Sequence, residues 1–276
     1  MSRPCAFARR TGSLLLALSL TSAGVAAFQL ISVRDEVQLG RQAQEELRRQ
    51  TPEVSDPRVR AYVADLGARL ASHASGEAYP YSFSVADYRE LNAFALPGGP
   101  VWVHRGVLEA ADAEAQLAGV LAHEIAHISE RHAAQQITKG TVANGLLGLL
   151  GAIVGDRGAG AAAAQVAAGV TANSFMLKFS RDDEREADRE GVGLLQRAGY
   201  DPRGLLEFMQ VLARQEGRSP GSVAQFLSTH PAPASRVREL SQLVARAPAG
   251  RRTSAAFTDA RRRLASLPAA RPMPRR

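Results

Sequence analysis

His123 and His127 stand four residues apart in the stretch His123-Glu-Ile-Ala-His127. On a helix such positions lie about 40° apart around the axis, so both imidazoles can aim a nitrogen at one point. Two neutral imidazoles suit Zn²⁺, and the carboxylate of Glu124 beside them can take a proton from water held by the ion. The chain has six histidines, and two fall in this register. A catalytic zinc needs a third protein ligand. The best placed is Glu184, in Ser180-Arg-Asp-Asp-Glu-Arg-Glu-Ala-Asp188. Glu184 and Asp188 are again four apart, so a helix presents both on one face. Glu184 would complete a His₂Glu set for one Zn²⁺ per chain. Asp188 would accept the free N–H of a ligand imidazole, expected to be that of His123, and fix its tautomer. Asp182, Asp183 and Glu186 read as solvated charges.

The segment carrying His123 must be helical for this to work. Asp112-Ala-Glu-Ala-Gln-Leu-Ala-Gly-Val-Leu-Ala is rich in Ala and Leu, with Asp112 as N-cap and Glu114 in the first turn. Leu117, Val120, Leu121, Ile125 and Ile128 form its apolar stripe. The small residues Gly119 and Ala126 leave room for the helix of Glu184 to approach. His132 lies about 140° around from His127 if that helix continues, so it should point away from the metal. Upstream, residues 81–85 alternate as a strand. Residues 92–96 and 101–104 pair across Pro97-Gly98-Gly99, whose Pro-Gly suits a type II turn. His104 sits on that hairpin as a lesser candidate for metal contact. Further helices are expected over 33–49, 57–73 (with Asp56 as cap and Pro57 at the first position), 204–215 and 235–244. Residues 140–173 are Gly/Ala-rich and almost uncharged. They read as a lid, a membrane-touching hairpin or ordinary buried helices.

Residues 1–27 read as a signal peptide: Arg3, Arg9 and Arg10, an apolar run from Leu14 to Leu20, and a Val25-Ala26-Ala27 cleavage site. An uncleaved anchor in the inner membrane is the alternative. Cys5 is the single cysteine and lies in this leader, which excludes disulfides and a cysteine nucleophile in the rest. The formal net charge of +7 is unevenly spread. Residues 246–276 hold nine arginines against Asp259 alone, whereas 28–245 hold 22 basic and 26 acidic residues. A nucleic-acid enzyme is therefore not expected. The Ala/Pro/Arg-rich end reads as a basic, mobile tail, with a short helix over 254–267 as an option. That leaves 28–245 as one domain.

The motif pair, H-E-x-x-H followed by Ser180-Arg181-x-x-Glu184-x-x-Ala187-Asp188, resembles the CAAX-prenyl-protease and heat-shock type of zinc metallopeptidases, a gluzincin family. Asn92-Ala-Phe-Ala-Leu-Pro-Gly-Gly-Pro-Val-Trp-Val103 is similar to the strand-turn-strand before that family's active-site helix. Thr229-His230-Pro231 resembles its late histidine motif. Glu36 to Gly40, with Tyr62-Val-x-x-Leu-Gly67, resembles the N-terminal helices of its soluble periplasmic branch, which includes beta-barrel assembly-enhancing proteases. The likeness runs over about residues 33–242. Many members add tetratricopeptide repeats; none is read in this sequence.

The resemblance implies an α+β, mostly helical zincin domain with a small sheet beside the H-E-x-x-H helix. It implies peptide hydrolysis with Glu124 as general base, and an edge strand of Asn92, Ala93, Phe94 and Ala95 that docks an extended substrate. His230 would either stabilise the oxyanion or occupy the open zinc position and hold the enzyme latent. Substrates would be misfolded or stalled cell-envelope proteins in the periplasm, with outer-membrane assembly machinery or a membrane surface as further partners and no nucleic acid. The alternative is a periplasmic chaperone or scaffold with a mostly latent protease site.

Overall fold

The computed structural model describes residues 31–143, 178–231 and 233–274. The expected signal peptide and most of the Gly/Ala-rich insertion lie outside these residues.

Two helices open the fold, α1 (Val33–Gln50) and α2 (Pro57–Ala71). Each begins where the sequence supplies a cap. Ser32 and Asp35 form a capping box on α1, and the Asp56 carboxylate accepts from the Arg58 and Val59 amides with Pro57 at the first position of α2. Strands β1 (Ser82–Ala86), β2 (Ala93–Ala95) and β3 (Pro100–His104) make one sheet in the order β1-β3-β2. β3 pairs parallel to β1 and antiparallel to β2, so the expected hairpin forms and β2 is an outer strand. Gly98, with φ +71, carries its turn. A side chain there would strike the backbone of Glu36 and Val37, so α1 closes directly over the hairpin tip.

The short α3 (Arg105–Ala110) leads to α4 (Glu114–Ser129), which carries both motif histidines. Asp112 does not cap α4. Ala113 holds the cap position without a side-chain bond, and the Asp112 amide donates instead to Oε1 of Gln116 (2.9 Å). α4 is buried along its entire length, because other elements cover the faces its apolar stripe leaves open. α5 (His132–Ala143) follows after a break. Then come α6 (Arg181–Arg197), α7 (Arg203–Arg218), α8 (Ala224–Thr229) and α9 (Pro233–Val244).

Helices α6 and α7 pack against α4 through glycines, though not as the sequence suggested. A Cβ on Gly119 would meet the Leu205 backbone of α7 at 2.7 Å, so Gly119 admits α7. Gly191 of α6 is the residue that faces His123, its Cβ position 3.4 Å from the His123 Cα. α6 therefore crosses α4 at the motif itself.

Residues 246–274 are not a mobile tail. α10 (Ala255–Ser266) is capped by Ser254 and buries Phe257, Ala260 and Leu264 in the main core. Burying Phe257 and Leu264 stabilises by roughly 1.5–3 kcal/mol each. Their spacing of three and four residues is an apolar helical stripe. The density of arginine on the other faces hides it in the composition. Arg105, itself buried, donates to the carbonyls of Leu264 and Pro268 and pairs with Asp87 and Glu109. No helix among the described residues is long and apolar enough to cross a membrane.

Candidate metal centre

α4 presents His123, Glu124 and His127, α6 presents Glu184 and Asp188, and the loop closing α8 presents His230. All six side chains are buried. His123, His127, Glu184 and His230 each place one donor atom within 4.8 Å of all the others. Nε2 of His127 lies 3.1 Å from Nε2 of His123, and each of these nitrogens is 3.5 Å from an oxygen of Glu184. Nδ1 of His230 is 3.4 Å from Nε2 of His123 and 2.9 Å from Oε1 of Glu184. Donors at about 2.0–2.1 Å around a tetrahedral Zn²⁺ stand roughly 3.3 Å apart, so the spacing fits that ion. Both oxygens of Glu124 are buried without a hydrogen-bond partner. A buried carboxylate is costly unless something polar meets it, and water on a metal would do so. The cluster fits zinc by donor type, by spacing and by this unsatisfied carboxylate.

Asp188 lies where the sequence expectation put it, with Oδ1 3.1 Å from Nδ1 of His123. It is held there by Arg236, which the sequence reading missed. Arg236, on α9, donates to both oxygens of Asp188 (2.8 and 2.6 Å) and ion-pairs with Glu184 at 2.5 Å. Its position six residues after His230, in the first turn of a helix, was the available signal. Burial opposes charge on Asp188 and Glu184. Arg236 outweighs it on Asp188, and His230 with Arg236 outweighs it on Glu184, so both carboxyls titrate below their ordinary range. Burial and Arg236 oppose a proton on His123, but Asp188 and Glu184 prevail and raise it to about 9 in the metal-free protein. Burial, then the neighbouring His123, holds His127 well below its ordinary value, so it is neutral.

Several expectations are revised by position. His132 does not point away: α4 ends at Ser129, Arg131 takes φ +58, and α5 starts afresh at His132. Nδ1 of His132 then comes back to 2.9 Å from Nδ1 of His127. Burial lowers His132, which is therefore neutral too. Glu186 contacts His132, and the Asp183 carboxylate accepts from the Ser180 amide in the capping box of α6 and from Gln136, so neither is simply solvated. Phe179 stacks on the His127 ring at 4.0 Å. His104 lies outside the donor set, buried between Tyr88 and Phe94 with Nδ1 on the Glu90 carbonyl.

In the β2–β3 register the His104 amide donates to the Asn92 carbonyl and the Leu96 amide to the Pro100 carbonyl. Asn92, Phe94 and Leu96 thus face β3, and by alternation the main-chain groups of Ala93 and Ala95 face the outer edge. Among the described residues no strand pairs with that edge. The two Asn92 side-chain polar atoms are buried and unpartnered.

A metal site built from H-E-x-x-H on one helix and a carboxylate on a second, beside a small sheet, defines a zincin-type α+β domain. Residues 57–244 match the model of peptidase family M48, and the chain belongs to that family, which makes it a metallopeptidase by class. It is 35% identical over 228 residues to the beta-barrel assembly-enhancing protease of Escherichia coli K12, covering 80% of this chain and 46% of that protein. The Yersinia pestis protein of the same name is 33% identical over 224 residues with the same coverage. The mitochondrial metalloendopeptidase OMA1 of Schizosaccharomyces pombe is 33% identical over 168 residues, 61% of this chain and 48% of that protein. The chain thus spans about half the length of the curated relatives it matches.

Proposed function

We propose that this chain is a zinc-dependent metalloendopeptidase that hydrolyses peptide bonds of misfolded or stalled cell-envelope proteins in the periplasm. The observation that carries the reading is Glu124: a fully buried carboxylate with no hydrogen-bond partner, on the helix that brings His123 and His127 into one donor set with Glu184. His123, His127 and Glu184 would hold one Zn²⁺. When bound, zinc supplies a Lewis acid for a carbonyl and for water. Glu124 takes the proton of the attacking water and passes it to the leaving amine. Asp188, clamped by Arg236, keeps the Nδ1–H of His123 oriented outward so that Nε2 faces the donor set. The outward main-chain groups of Ala93 and Ala95 offer hydrogen bonds to an extended polypeptide, the mode in which a sheet edge adds a strand.

The envelope assignment is supported by the printed names of the bacterial relatives and by the leader-like composition of residues 1–27. Outer-membrane assembly machinery is the proposed partner on the same grounds. His230 favours a restrained enzyme, because its Nδ1 already sits among the donors. A chaperone or scaffold with a mostly latent site is the runner-up on that observation. The test is metal analysis of the purified protein, with casein turnover before and after chelation and zinc return. Zinc at one per chain, with turnover lost on chelation and regained, is expected. A protein that aids client maturation equally well as Glu124→Gln would establish the scaffold instead.

A further inference from the structure

His127 carries a second imidazole on the nitrogen that faces away from the donor set. Its Nδ1 lies 2.9 Å from Nδ1 of His132, and Nε2 of His132 lies 3.3 Å from Oε2 of Glu186. His132 is fully buried, whereas the Glu186 side chain is 47% exposed. We propose that His132 is a positioning residue for the metal centre: with Glu186 it locks His127 as the Nδ1–H tautomer, leaving its Nε2 lone pair in the donor set. The inference rests on His127 being a zinc ligand.

Counting protons sets the direction of the relay. An ionised carboxylate only accepts, so the contact with Glu186 puts the N–H of His132 on Nε2. A neutral imidazole has one N–H, which leaves Nδ1 of His132 as an acceptor. The hydrogen between the two Nδ1 atoms therefore belongs to His127. Its Nε2, 3.1 Å from Nε2 of His123 and 3.5 Å from Oε1 of Glu184, is then a lone pair. The opposite tautomer would set two lone pairs against each other at 2.9 Å and push an N–H into the ligand set. His123 receives the same treatment directly, from Asp188. His127 receives it from a carboxylate one imidazole further out.

The backbone is bent to make this contact. A helix continued past Ser129 would carry residue 132 about 140° around from His127. Arg131 breaks it by taking φ +58, a left-handed conformation in which the Cβ of a non-glycine residue is crowded by its own backbone. Its guanidinium is anchored by the buried Glu36 and by the Ile31 carbonyl. Phe179, stacked on His127 and tilted against His132, fixes the ring planes. Stacking alone leaves the tautomer open, and the hydrogen-bonded relay closes it.

The test combines a metal-free and a metal-binding readout. In zinc-free protein labelled with ¹⁵N-histidine, two-bond ¹H–¹⁵N spectra should show His127 as the Nδ1–H tautomer, and as a mixture in His132→Leu. Zinc Kd, measured by competition with a chromophoric chelator, should rise about 10–100-fold in His132→Leu. His132→Asn should recover most of that affinity, because its Oδ1 takes the place of the accepting Nδ1. A purely space-filling role would make Asn the worse of the two. Glu186→Leu, at a half-exposed position, should fall between wild type and His132→Leu. A wild-type His127 found as the Nε2–H tautomer overturns the proposal, and so does unchanged zinc affinity in Glu186→Leu together with folded His132→Leu. If His132→Leu does not fold, the wild-type tautomer and the Glu186→Leu affinity still decide. Wild-type protein that binds no zinc would sink the metal reading itself, a separate outcome from failure of the relay.

Discussion

Nε2 of His230 lies 3.7 Å from Oε1 of Glu124, and both side chains are at most 1% exposed. The loop histidine thus bridges Glu124 and the donor set, the space that the proposed mechanism reserves for water. Its other nitrogen contacts Glu184. His230→Ala should therefore raise turnover of unfolded casein with zinc content unchanged. A fall in kcat of roughly 10²–10³ with zinc retained would make His230 an oxyanion donor instead.

Glu124→Gln keeps the size of the side chain and removes the base. Casein turnover should drop by about 10²–10⁴ while zinc still binds. Loss of zinc along with activity would mean that the carboxylate serves the metal rather than the proton.

Glu184→Ala should empty the site, because it removes the single anionic donor. Asp188→Asn should weaken zinc by about 10–100-fold through the loosened His123 tautomer. Metal analysis after dialysis against a buffered chelator separates the two. Full occupancy in Glu184→Ala would refute the ligand set.

A proline at Ala95 removes an outward amide and leaves the β2–β3 ladder whole, since Phe94 and not Ala95 bonds to β3. Ala95→Pro should slow turnover of long substrates far more than of short peptides. Phe94→Pro would break the sheet and say nothing about docking. Equal effects on long and short substrates would remove the docking edge.

Burial pushes His104 down to about 4 from its ordinary 6.5. The unfolded chain binds a proton that the folded chain refuses, so stability falls as pH drops from about 6.5 to about 4, on the order of 3 kcal/mol in full. Urea unfolding at pH 7 and pH 4.5 should show a smaller acid loss in His104→Asn, whose amide can still donate to the Glu90 carbonyl. An equal loss in both proteins would assign the acid sensitivity elsewhere.

The donor set was legible because helical spacing is a local rule. His123, His127, Glu184 and Asp188 each needed only a four-residue register on a helix. The hairpin was legible from Pro97-Gly98, and the start of α2 from Asp56 and Pro57. What stayed hidden depended on chain geometry at a distance. Arg236 is 48 residues from Asp188, and its nearness to His230 in the sequence does not reveal a partner that distant. His132 was misjudged because its direction assumed an unbroken helix, and only the left-handed Arg131 contradicts that. The basic end was misjudged because composition averages over the Phe257, Ala260 and Leu264 stripe.

That stripe sets a clock as well as a core. Arg105 is joined to Leu264 by a bond spanning 159 residues, and α10 closes on α2 from the far side of the sequence. Contacts of such separation form slowly, and a chain emerging from its N-terminus cannot make them until the last partner is delivered. The packing of α2 and α3 is therefore finished only once residues 255–266 are available.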